Sequence, residues 1–176
     1  MSPAIDYTTA LGRLLTDASL RRGFRADPAG TADAMGVTMT DRRRIIELCI
    51  EDLETQANTL ISKRFHAVAA ILPQTMMALG EASFASFVPY ANGFWPRGHL
   101  KHFEDAVAFG RFLQTRGVHQ LNALELNRVA FLVEQRRCAL YWAPRAAVSG
   151  RLRHVLQLLF RKRGQVRQVL WFLALR

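Results

Sequence analysis

Two different hydrophobic repeats divide this chain. Up to about residue 135, apolar residues recur at intervals of three and four, which is the repeat of an amphipathic α-helix. After that point they gather in short runs rich in leucine, β-branched and aromatic side chains, a pattern typical of strands. The sequence therefore predicts an α+β protein, with a mainly α-helical body over residues 1–135 and a small β subdomain over residues 136–176.

Start and stop residues mark the helices of the body. Asp27-Pro28 offers an N-cap followed by proline at the first helical position, and Gly36 is placed to end that helix. The longest predicted helix begins near Thr40 and runs for about thirty residues, with a break near Asn58 as the alternative. It ends or kinks at Pro73. Shorter helices are predicted over 82–91, 100–116 and 121–135.

The C-terminal subdomain is predicted to be an antiparallel β-hairpin or a three-stranded sheet. Two apolar runs, Val155–Phe160 and Val166–Leu173, flank a short basic loop that ends in Gly164. Glycine can adopt the positive φ that tight hairpin turns require. A further strand over 138–143 is predicted to stop at Pro144, because proline cannot donate a hydrogen bond to a neighbouring strand.

Positive charge is concentrated in this C-terminal part. The chain has 24 Lys and Arg and 14 Asp and Glu residues, for a net charge of +10. All the acidic residues lie at or before Glu134, and the residues up to that point carry no net charge. Clustered arginines bind nucleic-acid phosphates, but they also form paired hydrogen bonds with peptide carboxylates. Charge alone leaves both ligand classes open.

Strand alternation suggests which side chains bind a ligand. On the first strand of the hairpin we predict a peptide-binding face made of Arg151, Arg153, Val155, Gln157 and Leu159. The opposite face, predicted to join the protein core, comprises Leu152, His154, Leu156, Leu158 and Phe160. The second strand is expected to add Arg167, Val169 and Trp171 to the peptide site.

Other candidate sites are weaker. Phe94 and Trp95 lie in a loop and are candidate anchors for a partner protein, with burial in the core as the alternative. His99 and His102 have a spacing that can hold a metal, but no third ligand is nearby, and we predict no metal site. No catalytic or nucleotide-binding motif occurs, so the chain is not expected to catalyse a reaction by itself.

The cysteines and the lengths of the apolar runs bear on the compartment. Cys49 and Cys138 are far apart, form no CxxC motif and are expected to be buried thiols. With no secretory signal pattern, they predict a reduced, cytoplasmic protein. No apolar run reaches the ~18 residues of a membrane span, so no membrane partner is expected.

Several short motifs carry a resemblance to a known family. They are Leu20-Arg-Arg-Gly-Phe24 with Asp27-Pro28, Lys63-Arg64-Phe65, Leu72-Pro73-Gln-Thr75 with Leu79-Gly80, and Asp105-Ala106-x-x-Phe109-x-x-Phe112-Leu113. Together with the terminal hairpin, this series resembles the helical accessory subunits that partner multinuclear non-heme iron oxidative enzymes in making modified peptides. It is most similar to the accessory subunit of methanobactin biosynthesis. The likeness spans roughly residues 10–115 and the hairpin.

The resemblance implies a specific role. In that family the partner chain holds the iron and converts a cysteine of a ribosomal precursor peptide into an oxazolone and a thioamide. The helical subunit supports that enzyme and helps to hold the leader of the precursor. We therefore expect a subunit with no cofactor of its own, whose partners are an iron-dependent oxidase subunit and a precursor peptide.

A nucleic-acid-binding protein is the alternative that the residues leave open. Such a protein would use the same basic tail, with Trp142 or Trp171 stacking on bases. The absence of a recognisable nucleic-acid-binding motif makes this interpretation the less favoured one.

Overall fold

A computed structural model describes residues 4–118, 122–148 and 151–173. In these residues the helices are α1 (Tyr7–Thr16), α2 (Ala18–Ala26), α3 (Pro28–Met35), α4 (Met39–Ile46), α5 (Ile50–Ile71), α6 (Pro73–Leu79), α7 (Ala82–Gly93), α8 (Lys101–Thr115) and α9 (Ala123–Val133). The strands are β1 (Cys138–Val148), β2 (Arg151–Lys162) and β3 (Gln165–Leu173). The predicted α+β class, a helical body with a C-terminal antiparallel sheet, is confirmed.

The chain divides into two compact units. The first unit comprises Met1–Lys63 and Val88–Trp95, and the second comprises Arg64–Phe87 and Pro96–Arg176. The division does not fall at residue 135, where the sequence pattern changes. Helices α8 and α9 belong to the same unit as the sheet. Helix α9 packs directly on β1 and β2.

The first unit is a series of short helices whose ends are set by capping side chains. The carboxylate of Asp17 accepts hydrogen bonds from two backbone N–H groups at the start of α2. Asp27 caps α3 in the same way, with Pro28 at the first helical position as predicted. These helices bury one apolar cluster, which contains Ile5, Ala10, Leu14, Phe24, Ala32, Met35, Ile45 and Leu53.

The long predicted helix is broken at a different place from the one expected. Helix α4 ends at Ile46 and α5 begins at Ile50, whereas Asn58 lies well inside α5. The acidic pair Glu51 and Asp52 occupies the first turn of α5, where negative charge interacts favourably with the helix dipole. The periodic apolar pattern continues across the break, which is why spacing alone did not locate it.

A buried ion pair joins α5 to α8 in the second unit. The guanidinium of Arg64 donates two hydrogen bonds to the carboxylate of Asp105, at 3.0 and 2.8 Å. Their side chains are only 7% and 0% exposed. Phe87 lies against this pair, with its ring 5.7 Å from the guanidinium carbon, and it packs edge-on against Phe109. Removing one partner of a buried ion pair strongly destabilises a protein.

A carboxylate from α9 caps helix α6. Leu72, at the N-cap position of α6, has no side-chain hydrogen bond to offer, and Pro73 occupies the first turn. Glu125 takes over this role: its oxygens accept from the backbone N–H groups of Gln74 and Thr75, each at 3.0 Å. The Thr75 hydroxyl donates a further bond at 2.8 Å. Glu125 therefore ties the first turn of α9 to α6.

The sheet has the strand order β1-β2-β3, with both pairs antiparallel. Arg163 and Gly164 form the turn between β2 and β3, with φ of 51° and 78°, the signature of a tight type I′ hairpin turn. Strand β1 does not stop at Pro144, so that prediction was wrong. The register shifts between Ala143 and Ala146, and a bulge in an edge strand accommodates a proline that cannot donate to the ladder.

The buried ion pair should dominate the stability of the second unit. We expect Asp105→Leu to lower the free energy of unfolding by about 3–5 kcal/mol, because it removes the anionic partner of the buried Arg64 cation. The double variant Arg64→Met/Asp105→Leu should recover most of that loss. Chemical denaturation measures both. The control is Glu47→Gln, which breaks an exposed pair with Arg43 and should cost under about 1 kcal/mol. If Asp105→Leu and Glu47→Gln lowered the free energy of unfolding equally, the buried ion pair would not dominate the stability of this unit.

Candidate docking surface on the C-terminal sheet

Helix α9 covers one face of the sheet, which we call the covered face. Phe131 of α9 is completely buried and packs with Ala139 of β1 and Leu159 of β2. The buried side chains of this face are Ala139, Ala143, Ala146, Val155, Gln157 and Leu159. The covered face thus supplies much of the apolar core at this end of the second unit.

Gln157 ties the covered face to α9 through its amide group. Its side chain is 0% exposed, in the middle of the apolar run Val155–Phe160. Its Oε1 accepts from the Asn127 amide at 3.1 Å, and its Nε2 donates to the Leu124 carbonyl at 3.1 Å. Buried amides are normally satisfied in this way. These bonds fix the sheet on α9 in one register.

The structure corrects the predicted peptide-binding face of β2. Of the predicted residues, Arg151 and Arg153 are exposed, but Val155, Gln157 and Leu159 are fully buried against α9. Those three side chains cannot contact a peptide. Alternation along one strand separates its two faces, but it does not reveal which face a helix will cover.

The opposite face, which we call the open face, is the one that was predicted to be core. Its apolar side chains are Leu140, Trp142, Leu156, Leu158, Phe160, Val169, Trp171 and Leu173. Leu140 is 59% exposed, and Trp142 and Trp171 are 47% and 45% exposed. The β2 members Leu156 and Leu158 are only partly buried. The side chain of Leu152, predicted for the same face, lies outside the described part of the structure.

The pairing of the strands makes the open face continuous. One row across the sheet is Leu140, Leu158 and Val169, and the next is Trp142, Leu156 and Trp171. At these exposed fractions the two tryptophans alone present roughly 200 Å² to solvent. An apolar patch that grows beyond a few hundred Å² usually marks an interaction site.

Three predicted peptide residues lie together on the open face. Arg167, Val169 and Trp171 are all exposed, and they follow one another along the same side of β3. Because β3 is the last strand of the sheet, its outer backbone groups form an edge that another extended chain can pair with. The structure thus combines an apolar face, a guanidinium and a strand edge in one place.

Cations surround this end of the sheet. Arg161, Lys162 and Arg163 at the hairpin turn are exposed, as is Arg167. A groove at the tip is lined by Phe160, Lys162, Arg163, Gln165, Arg167 and Gln168. No acidic residue follows Glu134 in the sequence, so the described part of the sheet carries positive charge alone. The surface is therefore suited to an anionic ligand.

The predicted partner-interface residues lie in the first unit and at its border. Phe94 is 42% exposed and stacks on Tyr90, with the ring centroids 5.8 Å apart. Trp95 is partly buried. Exposure of Phe94 is compatible with an anchor for a partner, and that role stays a prediction.

Metal, thiol and membrane features are less informative. Among the described residues, no three His, Cys, Asp or Glu side chains come together as metal ligands, and His99 and His102 are both exposed. Cys49 and Cys138 are free and exposed, so the expectation that they are buried was wrong. Over the same described ranges, no helix has the length and apolar character needed to cross a membrane.

Comparisons with known proteins identify no relative. No family model, curated protein or solved structure matches this chain. The site must be interpreted from its own geometry.

Gln157 should act as a structural residue and not as a ligand-binding one. We expect Gln157→Leu to reduce the free energy of unfolding by about 1–3 kcal/mol, because it removes the buried partner of the Asn127 amide. Urea denaturation measures this loss. Gln165→Leu, at an exposed position of the same hairpin, should change stability by less than about 0.5 kcal/mol. An unchanged stability of the Gln157 variant would show that its hydrogen bonds do not fix the sheet.

Proposed function

We propose that this protein is a non-catalytic subunit that holds an acidic precursor peptide for an iron-dependent oxidase in the cytoplasm. The peptide adds as a strand to β3, and the oxidase converts its cysteine to an oxazolone and a thioamide, as in the biosynthesis of the copper chelator methanobactin. The observation that carries the binding role is the outer edge of β3, the last strand of the sheet in the described residues, beside the open face. The identity of the enzyme comes from the resemblance of the motifs.

Strand addition is supported by the geometry of β3. An extended peptide beside the strand gains main-chain hydrogen bonds along its length, while alternate side chains reach the two faces of the sheet. On the open face those side chains meet Arg167 first and then the apolar surface of Val169 and Trp171. A peptide with carboxylates at one end and apolar residues beyond them matches this order.

Arginines at both ends of β3 support an acidic ligand. Arg167 lies near the hairpin turn, whereas Arg153 approaches the other end of the strand, its guanidinium carbon 5.6 Å from the ring of Phe172. Guanidinium groups bind carboxylates through paired, charge-assisted hydrogen bonds. No carboxylate of this part of the chain competes for them, since the acidic residues end at Glu134.

The motifs that carry the family resemblance act as scaffold. Arg64 and Asp105, from two separate motifs, meet in the buried ion pair. Thr75, from a third motif, donates hydrogen bonds from its backbone N–H and its hydroxyl to the carboxylate of Glu125 on α9. These contacts hold the helices that support the sheet, and none of them forms a reactive site. A supporting role for this chain, with the iron held by the partner, agrees with this arrangement.

Charge reversal at β3 tests the peptide site. A labelled synthetic peptide with glutamates at one end and valines beyond them should bind the wild-type protein, and Arg167→Glu should weaken that binding by about 1–3 kcal/mol. Fluorescence anisotropy measures the affinity. Arg111→Glu, at an exposed position of α8, is the control and should have little effect. Equal binding by wild type and the Arg167 variant would remove β3 from the proposal.

Backbone methylation of the same peptide tests strand addition directly. In a strand paired on one side, alternate N–H groups face the neighbouring strand and the others face solvent. Methylating one alternate set of amides should abolish binding, whereas methylating the other set should leave it nearly unchanged. If both methylated peptides bind equally well, the peptide is not held as a strand.

Exposed Trp142 and Trp171 among cations also fit single-stranded nucleic acid. That alternative predicts binding of an oligonucleotide with a steep dependence on salt and no preference for the glutamate-containing peptide. Titrating both ligands at two salt concentrations separates the two functions.

A further inference from the structure

The proposed peptide leaves part of the open face uncovered. Leu140 and Trp142 lie on β1, at the opposite edge of the sheet from β3. Neighbouring strands are about 4.8 Å apart, so these side chains are roughly 10 Å from β3 and further still from a strand added beyond it. Their exposures of 59% and 47% therefore persist when the peptide is bound.

This remaining patch has the character of a protein interface. The indole of Trp142 stacks on the imidazole of His154, with centroids 5.7 Å apart and planes 19° from parallel, which restricts its orientation. Leu156 and Leu158 extend the apolar surface towards the centre of the sheet. A large aromatic side chain held in place on an apolar surface is the kind of residue that dominates binding energy at interfaces.

The charges around the patch indicate what covers it. Lys162 at the end of β2 and Arg167 on β3 lie on the side of the open face, and both are exposed. If two copies of this sheet packed face to face, cations would oppose cations with no carboxylate from either sheet to neutralise them. A partner whose apolar contact surface is rimmed by acidic residues avoids this repulsion, because its carboxylates attract the cations of the sheet.

We propose that Leu140 and Trp142 anchor a second docking site, separate from the β3 edge, for an acidic-rimmed apolar surface of another protein. This inference rests on the proposed function in one respect: the partner is the iron-dependent oxidase subunit. One sheet then binds two partners at once, with the peptide along β3 and the enzyme over β1. This arrangement brings the bound precursor beside the enzyme that modifies it.

The test compares two faces of the same sheet. The probe is the purified oxidase subunit that the proposed function requires, and its affinity for this chain is measured by biolayer interferometry. Leu140→Ala/Trp142→Ala should weaken binding by about thirty-fold. The matched control is Phe172→Ala, since Phe172 is 49% exposed but pairs with Val155 on the covered face. The control should bind the oxidase like the wild type.

Peptide binding separates this inference from the proposed function. The double variant should bind the valine–glutamate peptide normally, which also shows that its sheet is folded. Normal peptide binding together with unchanged oxidase affinity overturns the second docking site alone. Failure of the wild type to bind the oxidase overturns both the site and the enzyme partnership.

Two further arms identify a different occupant. Light scattering of the isolated wild type at increasing concentration reports a dimer, and a dimer that the double variant loses would assign the patch to a second copy. Sedimentation with phosphatidylglycerol vesicles reports a lipid surface, and vesicle binding lost in the same variant would assign the patch to a membrane. Either result overturns the proposal.

Discussion

The packing of α9 on one face of a three-stranded sheet is the constraint on which the rest of this structure depends. A sheet of three strands has two faces and two edges, and a single helix can bury only one of those faces. Val155 and Leu159 turn towards α9, and Gln157 fixes the register through its amide. The other face, with Trp142 and Trp171, is consequently left to solvent or to a partner.

Two contacts within the second unit position its helices. Glu125 caps α6 from α9, and the ion pair of Arg64 and Asp105 fixes α5 against α8. The ion pair is buried, and the Glu125 cap is partly buried. These charged groups position the helices that support the sheet. We infer that a docking surface benefits from such support, since a preorganised site loses less entropy when it binds.

Much of the fold was predictable from the sequence, because it depends on local signals. The change of hydrophobic period near residue 135 predicted the sheet, Asp27-Pro28 predicted the start of α3, and Gly164 predicted the hairpin turn. The candidate site was harder to predict because it depends on contacts between distant segments. Gln157 meets α9 some thirty residues earlier in the chain, and nothing within β2 distinguishes the face that α9 covers.

Backbone amide hydrogen exchange on the free and peptide-bound protein tests the docking role of the sheet most directly. With the valine–glutamate peptide bound, amides within Gln165–Leu173 should gain protection in an alternating pattern, because those that point outward from β3 acquire acceptors. Amides of α5 and α8 should exchange as before. Protection that appears in the helices and not in β3 would contradict the account.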